Sequence, residues 1–137
     1  MAGLAPSKVY QDDFHPGKGN ALQACAASIF NLTLEEVPNF IEMPGGYEDE
    51  MQTFCRSRGL VMEKVALGKD TNENVLGPEY NGKYCILRGT SPRGDHGHVV
   101  VAQFDIDIED FAMIHDPHPD HTFLDESKNY GWAMFFF

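Results

Sequence analysis

The chain has 137 residues, with 21 Asp and Glu against 10 Lys and Arg, a formal charge of −11 with histidine neutral. That length fits one domain over 1–137 with a core of its own, and 42% apolar with 23% charged residues is globular rather than disordered composition. The acidic balance argues against a nucleic-acid partner, and no apolar run reaches the roughly 20 residues of a membrane span.

Residues 1–19 read as irregular, punctuated by Pro6, Pro16, Gly17 and Gly19. From Asn20, a good N-cap, a helix is expected to run to about Asn31. Leu22, Cys25, Ala26, Ile29 and Phe30 fall on one of its faces. Thr33 and Glu36 then form a capping box for a short turn before Pro38. A second helix fits 47–58, with acids in the first turn, basic residues in the last and Gly59 as a stop. GGYEDE (45–50) reads as its exposed start rather than as a cleft-side loop. Beyond Gly59 the period becomes two, and strands are expected at 60–67, 83–89, 98–104, 111–116 and 132–137. Trp132, Phe135, Phe136 and Phe137 read as the core and edge of a closing strand. Helices first and strands afterwards point to an α+β domain with an antiparallel sheet.

Cys25, Cys55 and Cys85 are too few for a disulfide scaffold, and AGLAPSKVYQDD has no apolar centre of export-signal length. Reduced thiols and a cytoplasmic setting are expected. Cys55 and Cys85 read as packed core thiols.

Chemistry concentrates in one hairpin. DIDIED joins HVVVAQF to FAMIHD, and a turn centred near Asp107 gives opposed residues an index sum of about 214, which sets His98 against Asp116. A carboxylate there fixes the tautomer of the imidazole and frees its other nitrogen as a base. A nucleophile for such a base gains from a helix N-terminus. The position at that start is Ala21, while Cys25 lies about a turn further in, on the apolar face.

GNALQACAAS, LTLEEVPNF, GHVVVA and HDPHP together resemble the papain-like cysteine peptidase superfamily, nearest the bacteriocin-leader peptidase branch. The resemblance covers about residues 9–119. It implies a papain-like fold in which an N-terminal helix packs on an antiparallel sheet. It places the nucleophile on Ala21, a structural cysteine on Cys25, the base on His98 and the orienting acid on Asp116. Gln11 matches the oxyanion glutamine, although its gap to position 21 is longer than the family's. The implied activity is thiol-dependent hydrolysis or acyl transfer at an amide bond of a peptide or small amide, without cofactor or metal.

Alanine carries no nucleophile, which leaves three explanations. Ala21 is an inactivating substitution, or a natural loss that leaves a binding module on the scaffold, or the alignment is displaced and Cys25 is the nucleophile. Gln23 is too close to Cys25 to serve that last arrangement as the oxyanion residue. A rival from another class is a metal site built from His96, His98, His115, His118 and His121 with Asp95, Asp116 and Asp120. The same register sets His118 opposite His96, but no recognised metal-ligand spacing is present. Oligomeric state is not readable from these patterns.

Overall fold

A computed structural model describes residues 5–15, 19–67 and 76–137. Two α-helices, α1 (Ala21–Phe30) and α2 (Tyr47–Ser57), precede five strands. These are β1 (Met62–Ala66), β2 (Tyr84–Thr90), β3 (Gly97–Asp105), β4 (Asp110–His115) and β5 (Trp132–Phe136). Single 3₁₀ turns at Leu34–Glu36, Phe40–Glu42 and Pro78–Tyr80 complete the elements. The sheet order is β1-β5-β2-β3-β4 and every pairing is antiparallel. The architecture is α+β, as the change of period at Gly59 implies. No helix among the described residues is long and apolar enough to cross a membrane.

α1 buries Leu22, Ala24, Cys25, Ala26, Ala27 and Ser28, so small side chains face inward around more than half of it. Ala24, Cys25, Ala26 and Ala27 let the helix approach the sheet closely, where it packs with Ile86, Val99, Val101 and Met134. It ends at Asn31, whose backbone is left-handed at φ 55° and whose N–H returns to the last turn. α2 adds Met51 and Cys55 to the same layer. The other sheet face carries Val65, Cys85, Leu87, Val100, Ala102, Ala133 and Phe135, under Tyr80 and Leu124.

Three expectations change. Asn20 does not cap α1 with its side chain. Its Oδ1 accepts the N–H groups of Asp12 and Asp13 at 3.0 Å each, which folds the preceding loop back onto the helix start. Gly19 is required in that fold, because a Cβ there would lie 2.6 Å from the Asp13 carbonyl oxygen. β5 is not an edge. It lies between β1 and β2 and is buried at every position, which is why its sequence is a continuous apolar run. The β3–β4 register has an index sum of 215, not 214, and shifts again at a bulge where Ile114 is the extra residue.

Candidate active site

The bulge decides where Asp116 goes. In the 215 register, residues of β4 that share a side with His98 carry odd numbers. The extra residue at Ile114 restores even parity, pairs Val101 with His115, and brings Asp116 to the side of His98. The sequence reading therefore reaches the observed pair although its index sum of 214 is one short along the hairpin and two short beyond the bulge.

His98 Nε2 lies 2.7 Å from Asp116 Oδ1, with both groups buried. Asp116 also accepts the N–H of His118 at 3.0 Å and the N–H of Phe123 at 2.8 Å. Burial alone would raise the Asp116 pKa. The bonds from His98, His118 and Phe123 outweigh it and hold the carboxyl below the ordinary carboxylate value. An ionised Asp116 only accepts, so His98 carries its proton on Nε2 and presents Nδ1 as the basic nitrogen.

The loop after Asp116 is held by Arg93, whose Nη1 donates to Asp120 at 2.9 Å and Thr122 at 2.6 Å and stands 3.8 Å from Asp116 Oδ2. Phe123 keeps a left-handed backbone at φ 60°, a costly conformation for a bulky residue, and its N–H reaches Asp116 from it.

Gln11 is brought in by the N-terminal segment. Val9 N–H donates to Ser28 Oγ, His115 Nε2 lies 2.7 Å from the Val9 carbonyl, and Gln11 N–H donates to the Pro117 carbonyl. Gln11 Nε2 donates one bond, to the Asp13 carbonyl at 2.9 Å, and its buried Oε1 has no partner among the described residues. An amide nitrogen carries two protons, so a second donor is available on Nε2.

Gln11, Ala21, Leu22 and His98 line one cavity of about 270 Å³. Its walls add Phe14, Ile41, Tyr47 and Trp132, with Arg88, Arg93, His96 and His118 at its polar side. Tyr47 stacks on Trp132 with ring centroids 6.0 Å apart. The first residue of α2 is thus a cleft wall, not simply an exposed helix start. The Asn20 side chain does not cap α1 and no other side chain among the described residues bonds its first N–H groups, so those around Ala21 and Leu22 remain as donors beside the cavity.

Cys25 is fully buried, and that burial, with Asp116 and Cys85 nearby, pushes its thiol well above the ordinary range. A protonated thiol with no exposed surface does not reach a substrate carbonyl, so the displaced alignment that makes Cys25 the catalytic nucleophile does not fit. Cys85 is likewise raised by burial, and Cys55 is pushed up to about 11.

The histidine cluster disperses. His115 is spent on Val9, while His118 packs edge-on to Phe14 and to His98 instead of facing His96 across a ladder. Among the described residues no three His, Cys, Asp or Glu side chains converge as a metal ion requires.

Arg88 and Arg93 are site residues that the sequence patterns do not single out, and in those patterns Tyr47 and Trp132 read as a helix start and a strand core, not as cleft walls. Arg93 and the cleft aromatics carry no motif, and only the fold brings them together. Neither a family model, a curated protein nor a solved structure matches the chain.

Proposed function

We propose that this is a papain-like scaffold built for thiol chemistry at an amide bond of a peptide or small amide, with alanine at the nucleophile position. One observation carries the reading. A buried, carboxylate-oriented imidazole, a glutamine amide and the uncapped start of a helix open onto one cavity, with Ala21 among them.

With cysteine at position 21, His98 Nδ1 takes the thiol proton and the sulfur bonds to the amide carbonyl carbon. The oxyanion is held by Gln11 Nε2 and the N–H groups at the start of α1. Collapse breaks the C–N bond, and the imidazolium returns its proton to the leaving amine. Water or another amine then attacks the thioester with His98 again as base; the C–S bond breaks, the acid or new amide leaves, and the proton held by His98 returns to the sulfur. Asp116 keeps the ring oriented and offsets its charge throughout. Cys25 is a packing residue beneath the site.

The chain as written lacks the sulfur, and Ala21 itself favours a second reading, a non-catalytic module that holds the amide ligand in the same cleft. Iodoacetamide labelling at pH 6 with peptide mapping separates the two. The chain as written, Ala21→Cys, and Ala21→Cys with His98→Ala are compared. A latent catalytic site labels rapidly at position 21 in the single variant and slowly in the double. Labelling of Ala21→Cys no faster than an ordinary exposed thiol would leave the binding module as the function.

A further inference from the structure

Resting on that reading, we propose that the ligand of this cleft is anionic: an amide that carries a carboxylate close to the bond held beside position 21, received by Arg88. The chain has 21 acidic residues and a net charge of −11, yet among the described residues no Asp or Glu lines the cavity. Its titratable lining is Arg88, Arg93, His96, His98, His118 and His15, with the tyrosine Tyr47. An acidic protein that clears acids from one cleft and turns arginine into it focuses a field for anions there.

The two arginines differ. Arg93 is consumed by Asp120 and Thr122. Arg88 is exposed on β2, and its guanidinium has neither an ion-pair nor a hydrogen-bond partner among the described residues. Its path is nonetheless defined. Val99 and Trp132 are its cross-strand neighbours, and the guanidinium lies over Gly97, where any Cβ would collide with it. Gly97 leaves room for the guanidinium beside the cavity that both residues line. A second pocket shares Arg88, His96 and Gly97 with it and adds Lys128, with Asp95 the one acid among its described lining residues. A planar guanidinium that lines the cavity and has no carboxylate partner among the described residues suits a bidentate carboxylate from the ligand. Phe14 and Ile41, both exposed at the rim, and the Tyr47–Trp132 stack supply the apolar wall for the rest of that ligand.

The test uses Ala21→Cys as a reporter thiol and alkylating probes matched except for charge. N-iodoacetyl-phenylalanine is compared with its carboxamide, which reads a terminal carboxylate. N-iodoacetyl-glutamic acid α-amide is compared with N-iodoacetyl-glutamine amide, which reads a side-chain carboxylate. The expected result is a charged-to-neutral rate ratio that falls about fivefold with Arg88→Gln in at least one arm, the magnitude of one partly exposed ion pair. Lys83→Gln, just before the far end of β2 and outside the cavity lining, leaves the ratio where it was and excludes a general charge effect. Identical ratios with and without Arg88, in both arms, would overturn the carboxylate site. The two readings fail separately. A slow thiol with an Arg88-dependent ratio removes the thiol chemistry and keeps the anion site, whereas a fast thiol with no such dependence does the reverse.

Discussion

Asp116→Ala is the perturbation whose cost the structure sets most directly. The carboxylate is fully buried and accepts from the His98 ring and from the backbone N–H groups of His118 and Phe123. Truncation leaves three donors facing a cavity and Arg93 short of a neighbouring charge 3.8 Å away. An unsatisfied buried donor costs about 1–3 kcal/mol, and water entering the space relieves part of the sum. The net loss should be about 3–5 kcal/mol, the range for breaking a buried charge pair from one side. In urea, at a slope of about 1.5–2 kcal/mol per molar, the unfolding midpoint falls by about 2 M. Asp116→Asn retains one acceptor oxygen and should lose about half as much. Equilibrium urea unfolding followed by Trp132 fluorescence measures both. A shift of less than about 0.5 M for Asp116→Ala, with an unchanged slope, would refute the claim that Asp116 organises the loop from 116 to 123.

The three thiols should resist modification in the folded chain: 5,5′-dithiobis(2-nitrobenzoate) at pH 7 should release under a tenth of the colour seen in urea, and rapid release from Cys25 would contradict its burial. His115 makes stability sensitive to mild acid. Its burial keeps its pKa below the ordinary 6.5, so its contribution is full above pH 6.5 and is lost as pH falls below it, because the unfolded chain takes up the proton first. Urea midpoints at pH 7.5 and 5.5 should therefore differ more in the parent chain than in His115→Gln, and equal differences would contradict it. Asp116 acts lower: its depressed pKa gives stability that is present above the ordinary 3.8 and lost as pH falls through the folded value.

Local structure was legible where one residue type has one local use. The helix at 20–31 ends at Asn31 because a left-handed asparagine closes it, and Thr33 with Glu36 forms the reciprocal cap read from their spacing. The strands are each within about two residues of their patterns, since alternation and apolar runs report burial directly. The position of β5 was not legible, because a run buried on both faces says that a strand is central without saying which neighbours it takes. Asn20 is chemically suited to two tasks, capping and loop pinning, and the loop prevailed because two backbone N–H groups at Asp12 and Asp13 converge on its oxygen. His98 and Asp116 were readable as a pair, but the bulge at Ile114 that brings them together has no signature of its own. Arg88 became visible only once Gly97 was known to lie beneath its guanidinium.

The central claim, that the start of α1 is primed for a thiolate by His98 and Asp116, is tested most directly by the pH–rate profile for alkylation of Ala21→Cys. The rate of carboxamidomethylation at position 21 is followed from pH 4 to 10 by peptide mapping, with and without His98→Ala. The account predicts reaction governed by a pKa of about 3.5–7.5, well under the ordinary thiol value of about 8.5, as imidazolium and helix terminus both favour the anion. With His98→Ala the profile should move toward the ordinary thiol value. A profile at about 8.5 or above in Ala21→Cys, unmoved by loss of His98, would contradict the account.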